Sequence, residues 1–176
     1  ADYPQVKTLQ AWVWPGNVEI LFEEAGVPKD FDLLVIDIDS NDYYVWRAIQ
    51  SFRPKVVMIE INPWFPPPQL MVIDFHPMNH FDRSDYYGAS IQSLQKLGKK
   101  KGYELIHHVS DGPNILFVDK KYFPRFGIRD NSPTTLFKSP GPQMLKNRKR
   151  GPEPYMGRKH MRLKAREIPK RFILDR

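Results

Sequence analysis

The stretch Phe31-Asp-Leu-Leu-Val-Ile-Asp37 decides the fold that the sequence predicts. Its central residues, Leu33 to Ile36, are all apolar, which is typical of a strand buried on both faces of a parallel sheet. A second apolar run, Val56 to Ile61, follows a segment whose apolar residues recur with helical spacing over positions 45–52. A strand, a helix and a further strand in this order indicate a right-handed crossover between two parallel strands. The sequence therefore predicts an α/β domain.

The segments on either side of these strands extend the pattern. Upstream, Val6 to Val13 alternates weakly and predicts a short strand, and the spacing of apolar residues over Val18 to Ala25 predicts a helix. Downstream, residues 62–84 contain five prolines and predict a long irregular loop. A loop of this length inside a compact domain is usually functional or covered by a partner.

The last part of the domain is predicted to be a helix followed by a hairpin. The helix has an apolar stripe over positions 91–97, lysines near its end and Gly102 beyond it. Two strands follow, Tyr103 to His108 and Asn114 to Asp119, and the link between them is too short for a parallel crossover. We therefore expect a mainly parallel sheet, with helices on both faces, that closes with an antiparallel hairpin.

Charge divides the chain into two parts. Residues 138–176 contain 13 Lys or Arg and three acids, a net charge of +10, whereas the whole chain is +7. Residues 1–137 therefore sum to −3. This predicts an α/β domain over 1–137 and an extended basic tail containing Pro and Gly over 138–176. The chain has no Cys, which excludes disulfides, and no apolar run approaches the roughly 20 residues of a transmembrane helix.

The basic tail predicts a polyanionic partner. Interleaved Pro, Gly and Arg suit an extended arm that contacts RNA backbones without reading their sequence. A solvated tail, an acidic protein surface and lipid headgroups are the alternatives. The candidate RNA-binding residues are Lys146, Arg148, Lys149, Arg150, Arg158, Lys159, Arg162, Lys164, Arg166, Lys170 and Arg171.

Polar side chains follow both central strands where the strands end. Asp37 and Asp39 are two residues apart, Asp42 comes just after them, and Glu60 and Asn62 repeat the spacing on the next strand. Because ligands of open parallel sheets bind beyond the carboxyl ends of the strands, we expect these side chains to converge on one rim. Carboxylates at this rim can bind a ribose or an amine, accept a proton or hold a hard cation. Alternatively, Asp37 and Asp39 can cap neighbouring loops and the next helix.

A family resemblance rests on three segments of the chain. Together they resemble an FkbM-like branch of the class I S-adenosylmethionine-dependent methyltransferases, over about residues 11–119. The resemblance implies a partial Rossmann-like methyltransferase fold whose fourth strand ends at Asp37, and it implies that Asp37, Asp39 and Asp42 line the cleft for the methyl donor and the substrate. The three segments are Phe31-Asp-Leu-Leu-Val-Ile-Asp-Ile-Asp-Ser-Asn-Asp-Tyr-Tyr-Val-Trp46, Arg53-Pro-Lys-Val-Val-Met-Ile-Glu-Ile-Asn62 and Asp85-Tyr-Tyr-Gly-Ala-Ser90.

The chain departs from that family where the methyl donor binds. Its ten glycines include no G-x-G pair, so no loop of this sequence brings backbone amides to the donor in the family's way. Ser40 stands where we expect the family to use Gly, and its side chain would crowd that turn. We therefore expect a non-catalytic domain without a cofactor, whose donor-binding part lies outside this chain or has been lost.

Two further motifs compete with ordinary loop packing. Asn62-Pro-Trp-Phe65 is similar to the motif with which some amino-group methyltransferases hold the target nitrogen, but it follows a different strand, and we favour a packed loop. His76 and His80, with Asp74 and Asp82, form a possible metal set by ligand type. Pro77 breaks the helical register that would align the two imidazoles, so we expect a polar loop and no metal.

These observations predict a structural subunit of a large assembly. A mitochondrial ribosome fits best, because such particles recruit former enzymes and basic extensions, so ribosomal RNA and neighbouring proteins are the expected partners and the matrix is the expected compartment. One alternative is an active methyltransferase that uses S-adenosylmethionine, with its donor-binding half outside this chain. Another is an accessory subunit of a respiratory membrane complex. The candidate catalytic residues of the enzyme alternative are Asp37, Asp39, Asp42, Glu60 and Asn62.

Overall fold

A computed structural model describes residues 6–80, 86–110 and 112–141. In chain order the elements are α1 (Val18–Glu24), β1 (Leu33–Ile36), α2 (Asp42–Ala48), β2 (Val56–Glu60), α3 (Ile91–Lys101), β3 (Tyr103–His108), β4 (Asn114–Asp119), a 3-10 helix (Phe123–Phe126) and α4 (Pro133–Leu136). None of the helices in these ranges has both the length and the apolar character that crossing a bilayer requires.

The four strands form one open, mixed sheet in the order β1-β2-β4-β3. β1 and β2 pair in parallel, whereas β4 pairs antiparallel with both β2 and β3. The expectation of a mainly parallel sheet is therefore wrong, because the second hairpin strand inserts beside β2 and only one of the three pairings is parallel. β3 still runs in the same direction as β1 and β2. Their three carboxyl ends lie at one edge of the sheet, which we call the carboxyl edge.

The core lies on one face of this sheet. Alternate strand residues, among them Leu34, Val57 and Phe117, are buried there under α2 and α3. The ring of Trp46 in α2 lies 4.8 Å from that of Phe117, between centroids. A Cβ atom on Gly98 would lie 2.7 Å from the Phe117 ring, so only glycine allows α3 to approach so closely.

The other face of the sheet is largely open around β1. Leu33 and Val35 are 53% and 49% exposed, although they belong to the apolar run that predicted burial on both faces. Val18 of α1 belongs to the same core cluster as the residues under α2 and α3. Within the described ranges, the predictions that helices cover both faces and that β1 is buried on both are therefore wrong.

Local signals account for the helices that the sequence predicted. The side chain of Ser90 accepts a hydrogen bond from the Ser93 amide at the start of α3, and Gly102 ends the helix in the left-handed conformation, with φ 79°. α1 is also confirmed, over Val18–Glu24. The predicted strand Val6 to Val13 is wrong, because this segment pairs with no strand of the described residues. Its apolar side chains are exposed, except that of Val13, which is half-buried against the core.

Candidate functional site

The carboxyl ends of β1 and β2 hold the candidate site. Oxygen atoms of Asp37, Asp39 and Glu60 all lie within 4.8 Å of one another, and we call these residues the acidic cluster. Asp37 and Asp39 are exposed, and Glu60 is half-buried. The structure thus brings together three of the side chains that the sequence placed on one rim. Asp42 and Asn62, the other two, turn towards the backbone of the protein.

Asp42 closes the loop between β1 and α2. Its carboxylate accepts hydrogen bonds from the backbone N–H groups of Ile38 and Ser40, both at 3.0 Å, and the residue is 1% exposed. Burial raises the pKa of Asp42, while these N–H groups favour the charged form and act against that rise. Loop closure is the capping role that the sequence left open as an alternative, and the residue that fills it is Asp42.

In the turn after β1, Asp39 is the residue with the strained backbone. This residue has φ 58°, a left-handed conformation that Asp tolerates better than most side chains. Ser40 is 2% exposed and donates its N–H to Asp42. Asp39, and not Ser40, is the residue with positive φ. The side chain of Ser40 therefore does not block the turn, contrary to what the family resemblance implied.

Glu60 is the residue of the acidic cluster whose ionisation is most perturbed. Burial, together with the neighbouring charges of Asp42, Asp37 and Asp39, raises its pKa to about 8. None of the ion pairs among the described residues involves the cluster. A carboxyl group that keeps its proton near neutral pH can donate a hydrogen bond or transfer a proton. The three carboxyl groups also offer the oxygen ligands that hard cations prefer, although exposed acidic groups often occur without an ion.

Asn114 is a neighbour of Glu60 that the sequence did not point to. The two residues face each other across the β2–β4 pair, so their side chains lie on the same face. The Oδ1 atom of Asn114 is buried and has no hydrogen-bond partner. Sequence alone gives no signal for this pair, because it depends on the register between β2 and β4.

Asn62 fixes the long loop to the sheet. Its side-chain amide donates to the carbonyl of Tyr87 at 2.9 Å, and its Oδ1 accepts from the N–H of Trp64 at 3.0 Å. Its own N–H donates to the carbonyl of Ala89 at 2.7 Å, and the residue is 0% exposed. Phe65, the aromatic residue of the same motif, is 1% exposed. In this structure the motif packs the loop and presents no amide to a substrate.

The histidines of the long loop do not form a metal set in the described residues. His76 and His80 are exposed, and each uses Nδ1 for a contact with the backbone of Met78. The possible metal set also included Asp74 and Asp82, and Asp82 lies outside the described residues. Over 6–80, 86–110 and 112–141, the acidic cluster is the only group of three such ligands close enough to share an ion.

The long loop is held against α2. The hydroxyl of Tyr44 donates to the carbonyl of Ile73 at 2.7 Å, and the side-chain amide of Asn41 donates to the carbonyl of His76 at 3.0 Å. Trp12, from the irregular N-terminal segment, donates its Nε1–H to the carbonyl of Pro77 at 2.9 Å. These contacts fix the loop over residues 73–77 beside the start of α2.

The candidate RNA-binding residues, Lys146 to Arg171, all lie outside the described residues. The chain matches no protein-family model, and neither a curated protein nor a solved structure is significantly similar to it.

Proposed function

We propose that this chain is a non-catalytic structural subunit of a large ribonucleoprotein assembly, attached through its basic tail to ribosomal RNA. The observation that carries the proposal is the separation of charge, with −3 over residues 1–137 and +10 over 138–176. A cationic segment of this density binds nucleic-acid backbones by releasing their counterions. The mitochondrial ribosome is the assembly that we propose, by analogy with particles built partly from former enzymes.

We further propose that the body is a partial Rossmann-like domain derived from a methyltransferase. The strand order β1-β2-β4-β3, with β4 reversed, is compatible with the last four strands of that fold. In the described residues the outer side of β1 pairs with no strand. On this proposal the family's first strands would belong on that side of β1.

The use of the rim residues supports a structural rather than a catalytic role. Asp42 closes the loop after β1, and Asn62 holds the long loop to the sheet. Both side chains are engaged with backbone groups and buried, so they are not available to a methyl donor or a substrate in this arrangement. The sequence also has no close glycine pair with which to cradle a nucleotide-like donor.

Salt-dependent binding to structured ribosomal RNA tests the proposal. Replacing Arg148, Lys149 and Arg150 by Gln removes three positive charges, and we expect the slope of log K against log salt to fall by about 2 to 3. The matched control replaces three exposed lysines of α3, Lys96, Lys99 and Lys100, and should leave the slope nearly unchanged. Equal effects of the two triple variants would contradict a tail-directed attachment.

An active methyltransferase remains the second candidate because of the acidic cluster, in which Glu60 keeps a proton beside two carboxylates. Calorimetry of S-adenosylmethionine with the full gene product separates the two functions. We expect no heat of binding. Micromolar binding that is lost on Asp39→Ala would favour the enzyme instead.

Binding of the full chain to vesicles of anionic lipid tests the respiratory-complex alternative. If the tail acts on RNA, we expect structured RNA to compete the chain off the vesicles. Retention on lipid in the presence of excess RNA would favour a membrane-complex subunit.

A further inference from the structure

His108 is a buried titratable residue that the proposed function does not use. It is the last residue of β3 and is 1% exposed. Its Nδ1 accepts a hydrogen bond from the backbone N–H of Lys138 at 2.9 Å, and its Nε2 lies 3.1 Å from the carbonyl oxygen of Gly112. Because a carbonyl oxygen only accepts, Nε2 must carry the proton and Nδ1 must be bare. Both contacts therefore require the neutral imidazole in one tautomer.

These contacts join the β3–β4 hairpin to the first residues of the basic tail. The ring of Phe137 lies 5.5 Å from the His108 ring, and the Lys138 ammonium donates to the Ser110 hydroxyl at 2.7 Å. His108 lies in register with Ile115, which pairs with Ile59 of β2. Lys138, the first residue of the basic tail, therefore lies at the carboxyl edge, the edge that also carries the acidic cluster.

We propose that His108 is a protonation-controlled latch, which holds Lys138, the first residue of the basic tail, on the hairpin only while its imidazole is neutral. A second proton on the ring would occupy Nδ1 and face the N–H of Lys138, so that a donor would meet a donor. The bond would be lost, and a charged ring would be buried. The latch concerns only Lys138, the first residue of the tail, and it stands whatever the tail binds.

The surroundings of His108 favour the neutral ring. Burial lowers its pKa from the ordinary value of 6.5, and the positive charge of Lys138 and the neighbouring His107 lower it further, against the bond to Gly112. Because the unfolded chain binds this proton more readily than the folded one, the stability contributed by the latch is present above about pH 6.5 and is lost as the pH falls.

The remaining charged groups on the packed elements are engaged elsewhere. Glu104 of β3 accepts from Asn131, and Asp130 accepts from Ser132 and Thr135. Asp119, the one charged residue of β4, pairs with Arg53 at the opposite end of that strand. The lysines of α3 are exposed, except Lys101, which donates to Ile49. Asp111, in the hairpin turn, lies outside the described residues.

Nuclear magnetic resonance on the unmodified full chain tests the latch directly. We expect the His108 ring to titrate below pH 6.5, and the Lys138 amide shift to follow it with the same midpoint. Protection of that amide against hydrogen exchange, corrected for the intrinsic rate, should fall at least tenfold below the midpoint. A Lys138 amide that keeps its shift and protection while the His108 ring titrates would overturn the proposal.

Two single substitutions provide the matched comparison. In His108→Gln, which carries no titratable ring, we expect the pH dependence of the Lys138 amide to disappear. His107→Gln removes the exposed neighbour on the same strand and should preserve that dependence. A pH dependence that survives His108→Gln and is lost in His107→Gln would show that His107 controls the Lys138 amide, and it would overturn the proposal. The titration of the unmodified chain decides the question even if His108→Gln fails to fold.

Discussion

The two ends of the carboxyl edge differ in how their polar side chains are paired. At the β1–β2 end, the three carboxyl groups of the acidic cluster lie within 4.8 Å of one another. At the β3 end, His108 has a backbone partner for each ring nitrogen. A buried polar group paired with backbone stabilises one arrangement of the chain, whereas a cluster of like charges stays open to a proton or a solute.

The two ends also respond to pH with opposite signs. The pKa of Glu60 is raised from 4.5 to about 8, so the unfolded chain loses this proton first and the stability that Glu60 contributes falls as the pH rises through that range. The pKa of His108 is lowered, so its contribution falls as the pH decreases below about 6.5. A substitution of Glu60 should therefore remove the loss of stability at high pH, and a substitution of His108 should remove the loss at low pH.

We expect the largest effect from Asp42→Ala. At the β1–β2 end, Asp42 is a residue whose carboxylate is hydrogen-bonded to backbone N–H groups. The change leaves the N–H groups of Ile38 and Ser40 without their acceptor, and we expect the free energy of unfolding to fall by about 3 kcal/mol. Chemical denaturation at neutral pH measures the loss. Asp37→Ala is the matched control and should change stability by less than about 0.5 kcal/mol, because Asp37 is exposed. Equal losses in the two variants would remove the distinction between them.

Glu60→Gln should have the next largest effect, with the opposite sign. Because glutamine has the shape of the protonated side chain and no charge, we expect the variant to be more stable than the unmodified chain by about 2 kcal/mol at pH 8. Near pH 4, below the ordinary pKa of 4.5, we expect the two to be equally stable. Denaturation at both pH values checks this. The exposed residue Glu24 provides the control, since Glu24→Gln should show no such difference. A constant offset at both pH values would show that Glu60 does not retain its proton.

Asp39→Gly should give a smaller gain. Glycine adopts the positive φ of this position without strain, so we expect the free energy of unfolding to rise by about 1 kcal/mol. Asp39→Asn removes the charge but keeps the side chain, and comparing the two variants in thermal unfolding separates the backbone effect from the charge effect. If Asp39→Asn gains as much as Asp39→Gly, repulsion within the acidic cluster and not the turn is the cause.

The sequence predicted best those elements whose signals are local. The bounds of β3 and β4 agree with prediction because a short link leaves only an antiparallel hairpin, and Gly102 marks the end of α3. The burial of β1 was not predictable in this way. An apolar run such as Leu33 to Ile36 looks the same whether one face or both are covered.

The candidate site was predictable in part for a similar reason. The spacing of Asp37 and Asp39 assumed that the strand continues, whereas the chain turns at Asp39 with a positive φ. The role of Asp42 depends on that turn. The His108 contact joins residues 30 positions apart, and the Glu60–Asn114 pair depends on strand register. No local pattern encodes either contact, so both had to come from the fold.

Co-sedimentation with mitochondrial ribosomal particles tests the central claim most directly. The measurement compares the full chain with a chain that lacks Lys146 to Arg176 but keeps the body and the His108 contact. We predict that the truncated chain unfolds at the same temperature as the full chain and no longer sediments with the particles. A truncated chain that sediments with the particles in unchanged amount would contradict the claim that the basic tail attaches this protein to its assembly.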